Sequence, residues 1–119
     1  MTDLARAIAK AEGFGKAGAI PTRAHNPGDL VLGDVGHGTL GAEKITVFGD
    51  DATGWAALQH QLDLIRTGKS HVYRSSMTLS EMAHKWTRTQ PDNWAANVAM
   101  HLTKLGRIAT VDTFLYEVL

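Results

Sequence analysis

Cysteine is missing from the 119 residues of this chain, as are long apolar runs and any excess of charge of one sign. Without cysteine the chain has no disulfide scaffold and no thiolate metal site, so the fold must depend on packing. No run of 18 apolar residues occurs, and the sequence therefore predicts no membrane insertion. Charged residues interrupt the first 20 positions, which is unlike the apolar core of a secretory signal peptide.

The charges balance, with twelve Lys and Arg against twelve Asp and Glu. General electrostatic attraction to nucleic acid or to an anionic membrane is therefore not expected. A hydrophobic fraction of 44% with 20% charged residues is typical of a folded globular domain. The six histidines show no metal-ligand spacing. We expect a single domain over residues 1–119, monomeric, with no nucleic-acid partner, no metal and no cofactor.

Helical periodicity dominates the sequence outside one glycine-rich stretch. Apolar spacing and capping residues predict helices over about 3–13, 51–68, 79–86 and 92–105, and a short last helix over 110–118. The stretch 16–42 predicts a loop that leads into a small hairpin, with strands near 29–33 and 44–48. The expected fold class is therefore α+β, mainly α.

Glu12 breaks two local rules at the end of the first predicted helix. It shares a face with Leu4 and Ile8, which should point at the core, and it lies where the helix dipole disfavours an anion. Burial there would raise its pKa and let it hold a proton near neutral pH, as a general acid requires. The alternative is a solvated Glu12 at a frayed helix end, paired with Lys16 or Arg23.

The stretch "RAHNPGDL", which begins at Arg23, contains an Asn-Pro-Gly turn. Pro27 fixes φ at the first corner, and Gly28 is expected to take the positive φ of a type II turn at the second. The turn itself does not require Arg23, His25 or Asp29. Asp29 could present a second carboxylate where the hairpin begins.

Aromatic residues flank the next part of the chain. A strand ending in Phe48 leads to a helix with Gly54 in its first turn, where glycine lowers helix propensity. Close packing against the hairpin is the expected reason for this glycine. Trp55, Trp86 and Trp94 fall on or beside apolar stripes and are expected in the core, although indole rings also commonly line sugar-binding clefts.

Five stretches follow in a characteristic order: "AKAEGF", "PTRAHNPGDL", "ITVFGDDATGWAALQHQLDLI", "TLSEMAHKW" and "PDNWAANVAMHL". Over about residues 7–106 the chain resembles a lysozyme-like family of compact bacterial and phage muramidases and lytic transglycosylases. The resemblance implies an N-terminal helix plus a small β-hairpin packed on a bundle of three to four helices. It also implies cleavage of the β-1,4 bond between N-acetylmuramic acid and N-acetylglucosamine in peptidoglycan glycan strands.

The resemblance makes Glu12 the catalytic acid. The second role stays open between Asp29, which could orient water or stabilise the cation, Thr46, which could hold water, and the N-acetyl group of the substrate. His25 and Asp29 stand where the family has Asn, and Trp94 stands where it more often has Tyr. The substrate-binding positions that the resemblance implies are Arg23, His25, Asn26, Gly28, Phe48 and Trp94.

Two other classes of protein are compatible with the sequence. One is a catalytically weak or inactive lysozyme-fold module that binds glycan or a partner protein, which the lack of steering positive charge favours. The other is a structural domain of a phage tail or secretion assembly, which leaves the placement of Glu12 unexplained. An enzyme without a signal peptide would be made in the cytoplasm and act on the cell wall after release or as part of a virion. A piece of a longer chain would give the same sequence.

Overall fold

Helices form most of the regular structure in the computed structural model, which describes residues 1–119 and measures 36 × 30 × 25 Å. The mainly helical α+β class predicted from the sequence is confirmed. None of the helices is both long and apolar enough to cross a bilayer. In chain order the elements are α1 (Asp3–Glu12), α2 (Ile20–Arg23), β1 (Thr39–Leu40), β2 (Ile45–Thr46), α3 (Asp51–Arg66), α4 (Leu79–Trp86), α5 (Pro91–Lys104) and a 3-10 turn (Leu115–Glu117).

Local capping signals fix the ends of the helices. The side chains of Thr2 and Asp50 accept hydrogen bonds from the first turns of α1 and α3. Thr78 and Glu81 form the reciprocal capping box of α4. Gly13 ends α1 with φ of 84°, a left-handed conformation that glycine adopts without strain. The four long helices predicted from the sequence are confirmed.

The core lies where α1 packs against α5 and α3, and where α5 packs against α4. Leu4 and Ile8 of α1 are fully buried in it, together with Leu58 of α3 and Val98 of α5. Glu12 follows Ile8 by one helical turn on the same face. The core-facing side of α1 therefore ends on a carboxylate.

The predicted strand near 29–33 is wrong, because β1 and β2 pair further along the chain with Leu40 opposite Ile45. The backbone N–H and carbonyl of Leu30 already have hydrogen-bond partners. Its N–H donates to the Asn26 side chain at 2.9 Å, and its carbonyl accepts from the same side chain and from the Thr46 N–H. The Leu30 N–H thus bonds to a side chain where a strand residue would bond to a backbone carbonyl. The helix α2 lies within the stretch predicted to be loop, with Pro21 in its first turn.

The predicted helix over 110–118 is also wrong, apart from the 3-10 turn. The first N–H groups of a helix have no acceptor within that helix. In α4 those of Leu79 and Ser80 donate to the carbonyls of Thr113 and Val111, at 3.0 and 2.9 Å. The backbone before the 3-10 turn therefore serves the start of α4, and it cannot bond within a helix of its own.

Candidate active site

Glu12 lies half-buried at the C-terminal end of α1. Burial is the main cause that raises its pKa, and the nearby Asp29 and Glu43 carboxylates raise it further. The indole groups of Trp94 and Trp86 favour the ionised form and offset part of this effect. The resulting pKa of about 8 keeps Glu12 largely protonated at neutral pH.

Glu12 does not form the ion pairs of the solvated alternative. All four ion pairs of the protein lie elsewhere, and neither Lys16 nor Arg23 takes part in one. The Glu12 side chain instead borders two cavities on either side of the helix end. In the folded protein Glu12 therefore does lie on the core-facing side of α1 and at the C-terminal end of the helix dipole, the two unfavourable features predicted from the sequence.

Asp29 faces the same cleft from the loop that follows α2. Burial raises its pKa to about 6, and the charge of Glu43 adds to the effect, so Asp29 is mostly ionised at pH 7. One of its carboxylate oxygens, Oδ1, is buried and has no hydrogen-bond partner. A buried acceptor without a partner costs free energy, and the cost is greater when the carboxyl group is ionised.

The cleft that holds both carboxylates has a volume of about 460 Å³. Its far wall is the turn of the hairpin, which contributes Glu43, an exposed residue that sequence reasoning missed. The sequence gives no signal for Glu43, because its place depends on the register in which β1 and β2 pair. The lining residues are Glu12, Ala19, Ile20, Pro21, Asp29, Leu40, Gly41, Ala42, Glu43 and Ile45.

Two further cavities extend this cleft into a groove. One of about 240 Å³ shares Asp29 with it and runs along Trp86 and Tyr73. The other, of about 270 Å³, shares Glu12 and is lined by Trp94 together with amide and hydroxyl side chains. Glu12 and Asp29 are therefore the residues at which the three neighbouring cavities, together called the groove, adjoin.

A row of three aromatic rings borders the groove. Trp86 stacks on Trp94 with ring centroids 6.0 Å apart, and it contacts Tyr73 at 5.8 Å. The Trp86 indole N–H donates to the Gly28 carbonyl at 3.1 Å, which ties the row to the loop that carries Asp29. The Trp94 indole nitrogen lies near Glu12 but is buried without a hydrogen bond. Trp94 thus lines the groove, as the resemblance implies, and Trp86 and Tyr73 join it there.

Asn26 and Thr46 support the site from within the protein, and both are fully buried. The Asn26 amide donates to the carbonyls of Leu30 and Thr46 and accepts from the Leu30 N–H. The Thr46 hydroxyl donates to the Gly33 carbonyl at 2.9 Å and accepts from the Leu32 N–H at 2.7 Å. The Asn26 amide and the Thr46 hydroxyl bond to backbone groups and are shielded from solvent. They are therefore placed to hold the Asp29 loop against the hairpin.

Four of the six predicted substrate-binding residues, the buried Asn26 among them, lie outside the groove cavities, and so does the catalytic candidate Thr46. Arg23 is exposed at the end of α2, and His25 bonds through Nδ1 to the Asp51 carboxylate at 2.7 Å. Phe48 is buried, and its N–H donates to the Ala24 carbonyl. Their contact with a substrate stays a prediction, whereas Gly28 does line the groove.

Two glycines set the position of the Asp29 loop, for reasons of space. The expected type II turn is wrong at Gly28, because the positive φ values fall on His25 and Asp29, at 52° and 53°. A Cβ at Gly28 would lie 2.8 Å from Leu58 Cδ1, so its lack of a side chain permits close packing on α3. A Cβ at Gly54 would overlap the His25 carbonyl oxygen. The first turn of α3 thus packs on this loop, and the predicted packing of Gly54 against the hairpin is wrong.

Comparison of the chain with protein-family models, with curated proteins and with solved structures finds no significant match. The lysozyme-like family and fold therefore stay predictions from the sequence. The functional reasoning that follows rests on the groove and its two carboxyl groups.

Proposed function

We propose that this protein is a lysozyme-like glycosidase that cleaves the β-1,4 bond between N-acetylmuramic acid and N-acetylglucosamine in peptidoglycan. The observation that carries the proposal is the pairing of two unlike carboxyl groups in one groove. Glu12 holds its proton near neutral pH, and Asp29 beside it is mostly ionised. Most glycosidases use one group of each kind.

In the proposed reaction the Glu12 carboxylic acid donates its proton to the glycosidic oxygen while the bond from that oxygen to the anomeric carbon breaks. Positive charge then develops at the anomeric carbon. The Asp29 carboxylate, which lines the same cleft and is mostly ionised at pH 7, is placed to stabilise that charge. Burial of both groups strengthens this interaction, because less water screens it.

The second half of the reaction has two forms. In hydrolysis a water attacks the anomeric carbon, and its proton passes to a carboxylate, for which Asp29 and the exposed Glu43 both line the cleft. In transglycosylation the 6-hydroxyl of the muramic residue attacks instead and returns a proton to the Glu12 carboxylate. Hydrolysis yields reducing ends and transglycosylation yields 1,6-anhydromuramic ends, so the products distinguish the two.

The groove supports a polymeric substrate. Aromatic rings stack favourably on the apolar faces of sugar rings, and Trp86, Tyr73 and Trp94 line the two arms of the groove. The amide side chains of Gln90, Asn93 and Asn97 accompany Trp94, and such groups both donate and accept hydrogen bonds to hydroxyl and acetamido groups. We propose that the substrate-bearing wall is reached after release from the cytoplasm or as part of a virion.

The test is digestion of purified peptidoglycan followed by mass spectrometry of the soluble products. Glu12→Gln should lower the release of fragments by about 10²–10⁴-fold, because the amide cannot donate a proton to the leaving oxygen. Binding to sedimented peptidoglycan should persist. Glu81→Gln is the matched control, because a capping box accepts Gln in place of Glu and the residue is exposed.

Other outcomes identify the competing classes. Full activity of Glu12→Gln would overturn the site assignment. Wild-type protein that binds peptidoglycan and releases no fragments would be a glycan-binding module. Protein that neither binds nor cleaves it would favour a structural domain of a larger assembly.

A further inference from the structure

A separate cavity of about 450 Å³ lies between α1 and α5 and shares no residue with the groove. Its walls come from the middle of α1, the turn after α1, the start of α3 and the end of α5. The proposed reaction uses none of these residues. They are Arg6, Ala9, Lys10, Phe14, Gly15, Trp55, His101, Lys104 and Leu105.

The floor of this cavity is aromatic and apolar. Phe14 and Trp55 meet edge to face, with ring centroids 5.3 Å apart and planes at 77°. Leu105 beside them keeps 44% of its surface exposed to solvent. Exposed apolar area within a concavity is a common feature of binding sites for a single inserted side chain.

The rim of the same cavity is cationic, with Arg6 and Lys10 on α1 and Lys104 on α5 around His101, and no carboxylate lines it. Lys10 and Lys104 take part in none of the ion pairs, while Arg6 contacts Asp3 at 3.4 Å. Because the chain has no net charge, this concentration of cations is local.

The cations of the rim repel one another. Burial and the charges of Lys104 and Lys10 hold the pKa of His101 below its ordinary value. Like charges gathered around an apolar floor would gain from a ligand that brings negative charge together with an apolar group. The ligand that best complements this cavity is therefore acidic, to match the cationic rim, and carries an apolar group, to match the floor.

We propose that this cavity binds an acidic segment of another protein, which inserts one apolar or aromatic side chain against Trp55 and Phe14 while flanking carboxylates pair with Lys10 and Lys104. The floor is recessed between two helices. A flat membrane surface would reach the lysines without filling this recess, whereas a protruding side chain fills it. The site is independent of the proposed glycosidase activity.

The experiment titrates the ¹⁵N-labelled protein with a blocked five-residue peptide that has a central Phe between two pairs of acidic residues. The indole N–H resonance of Trp55, assigned with Trp55→Phe, should shift with saturation, while those of Trp86 and Trp94 should stay in place. A peptide with Lys in place of the acids should not bind. A peptide with central Ala should bind at least about fivefold more weakly, because the aromatic ring buries most of the apolar area.

The double variant Lys10→Gln with Lys104→Gln should weaken binding about tenfold and reduce its dependence on salt, because it removes two charge pairs. The matched control is Lys69→Gln with Arg74→Gln, which removes two exposed cations elsewhere and should leave affinity unchanged. Equal binding of the acidic and basic peptides, or a shift at Trp86 or Trp94 in place of Trp55, would overturn the proposal. So would binding to phosphatidylglycerol vesicles without binding to the acidic peptide.

Discussion

Glu12→Gln should stabilise the folded protein at alkaline pH, although it removes the proposed catalytic acid. The raised pKa means that the folded state binds the Glu12 proton more tightly than the unfolded state does. This contribution to stability is complete below about pH 4.5, the ordinary pKa of the group, and is lost as the pH rises through about 8. Gln carries no charge at any pH, so the variant avoids the loss.

The size of the effect follows from the pKa. A tenfold change in proton affinity corresponds to about 1.4 kcal/mol, so the rise from 4.5 to about 8 sets an upper limit of about 5 kcal/mol. Water reaches the half-buried carboxylate and screens it, which lowers the expected gain to about 2–3 kcal/mol. Activity and stability are thus opposed at this residue, as is common where a fold holds a group in an unfavourable environment.

Urea denaturation of wild type and Glu12→Gln at pH 4 and pH 8.5 measures this difference. The free energies of unfolding should nearly agree at pH 4, where Glu12 is mostly protonated in both the folded and the unfolded state, and the variant should be more stable at pH 8.5. Glu81→Gln, exposed and in a capping box, should show no such dependence on pH. An equal effect of Glu12→Gln at both pH values would refute the reasoning, because it would mean that Glu12 is a solvated anion.

Two further predictions concern catalysis and the support of the site. Activity on peptidoglycan should be bell-shaped in pH, rising as Asp29 ionises near pH 6 and falling as Glu12 loses its proton near pH 8, with both limbs belonging to the coupled pair. Asp29→Asn should remove the acid limb and move the basic limb to lower pH, and an unmoved basic limb would show that Asp29 does not act on Glu12. Gly54→Ala should lower the free energy of unfolding by at least about 3 kcal/mol, because the new methyl group would overlap the His25 carbonyl. Ala56→Gly, at an exposed position of the same helix, should cost only about 1 kcal/mol in urea denaturation, and equal costs for the two would contradict the close contact.

The long helices could be predicted from the sequence because their signals are local. The Thr78 and Glu81 box, the Asp50 cap and the glycine after Glu12 each act within one helical turn. The strand near 29–33 could not be ruled out in the same way. Whether the Leu30 N–H bonds to a strand or to the Asn26 side chain depends on how the chain folds back, and local propensity does not encode this.

In the candidate site too, local features could be predicted from the sequence and long-range contacts could not. The sequence determined that a carboxylate ends the core-facing side of a helix, because helical periodicity places Glu12 one turn after Ile8. It also determined that a tight turn precedes Asp29. Only the tertiary structure decided that these two carboxyl groups share a cleft and that Glu43 joins them from the hairpin. The raised pKa values of Glu12 and Asp29 depend on this shared cleft, because burial and like charges act through space between residues that are far apart in the chain.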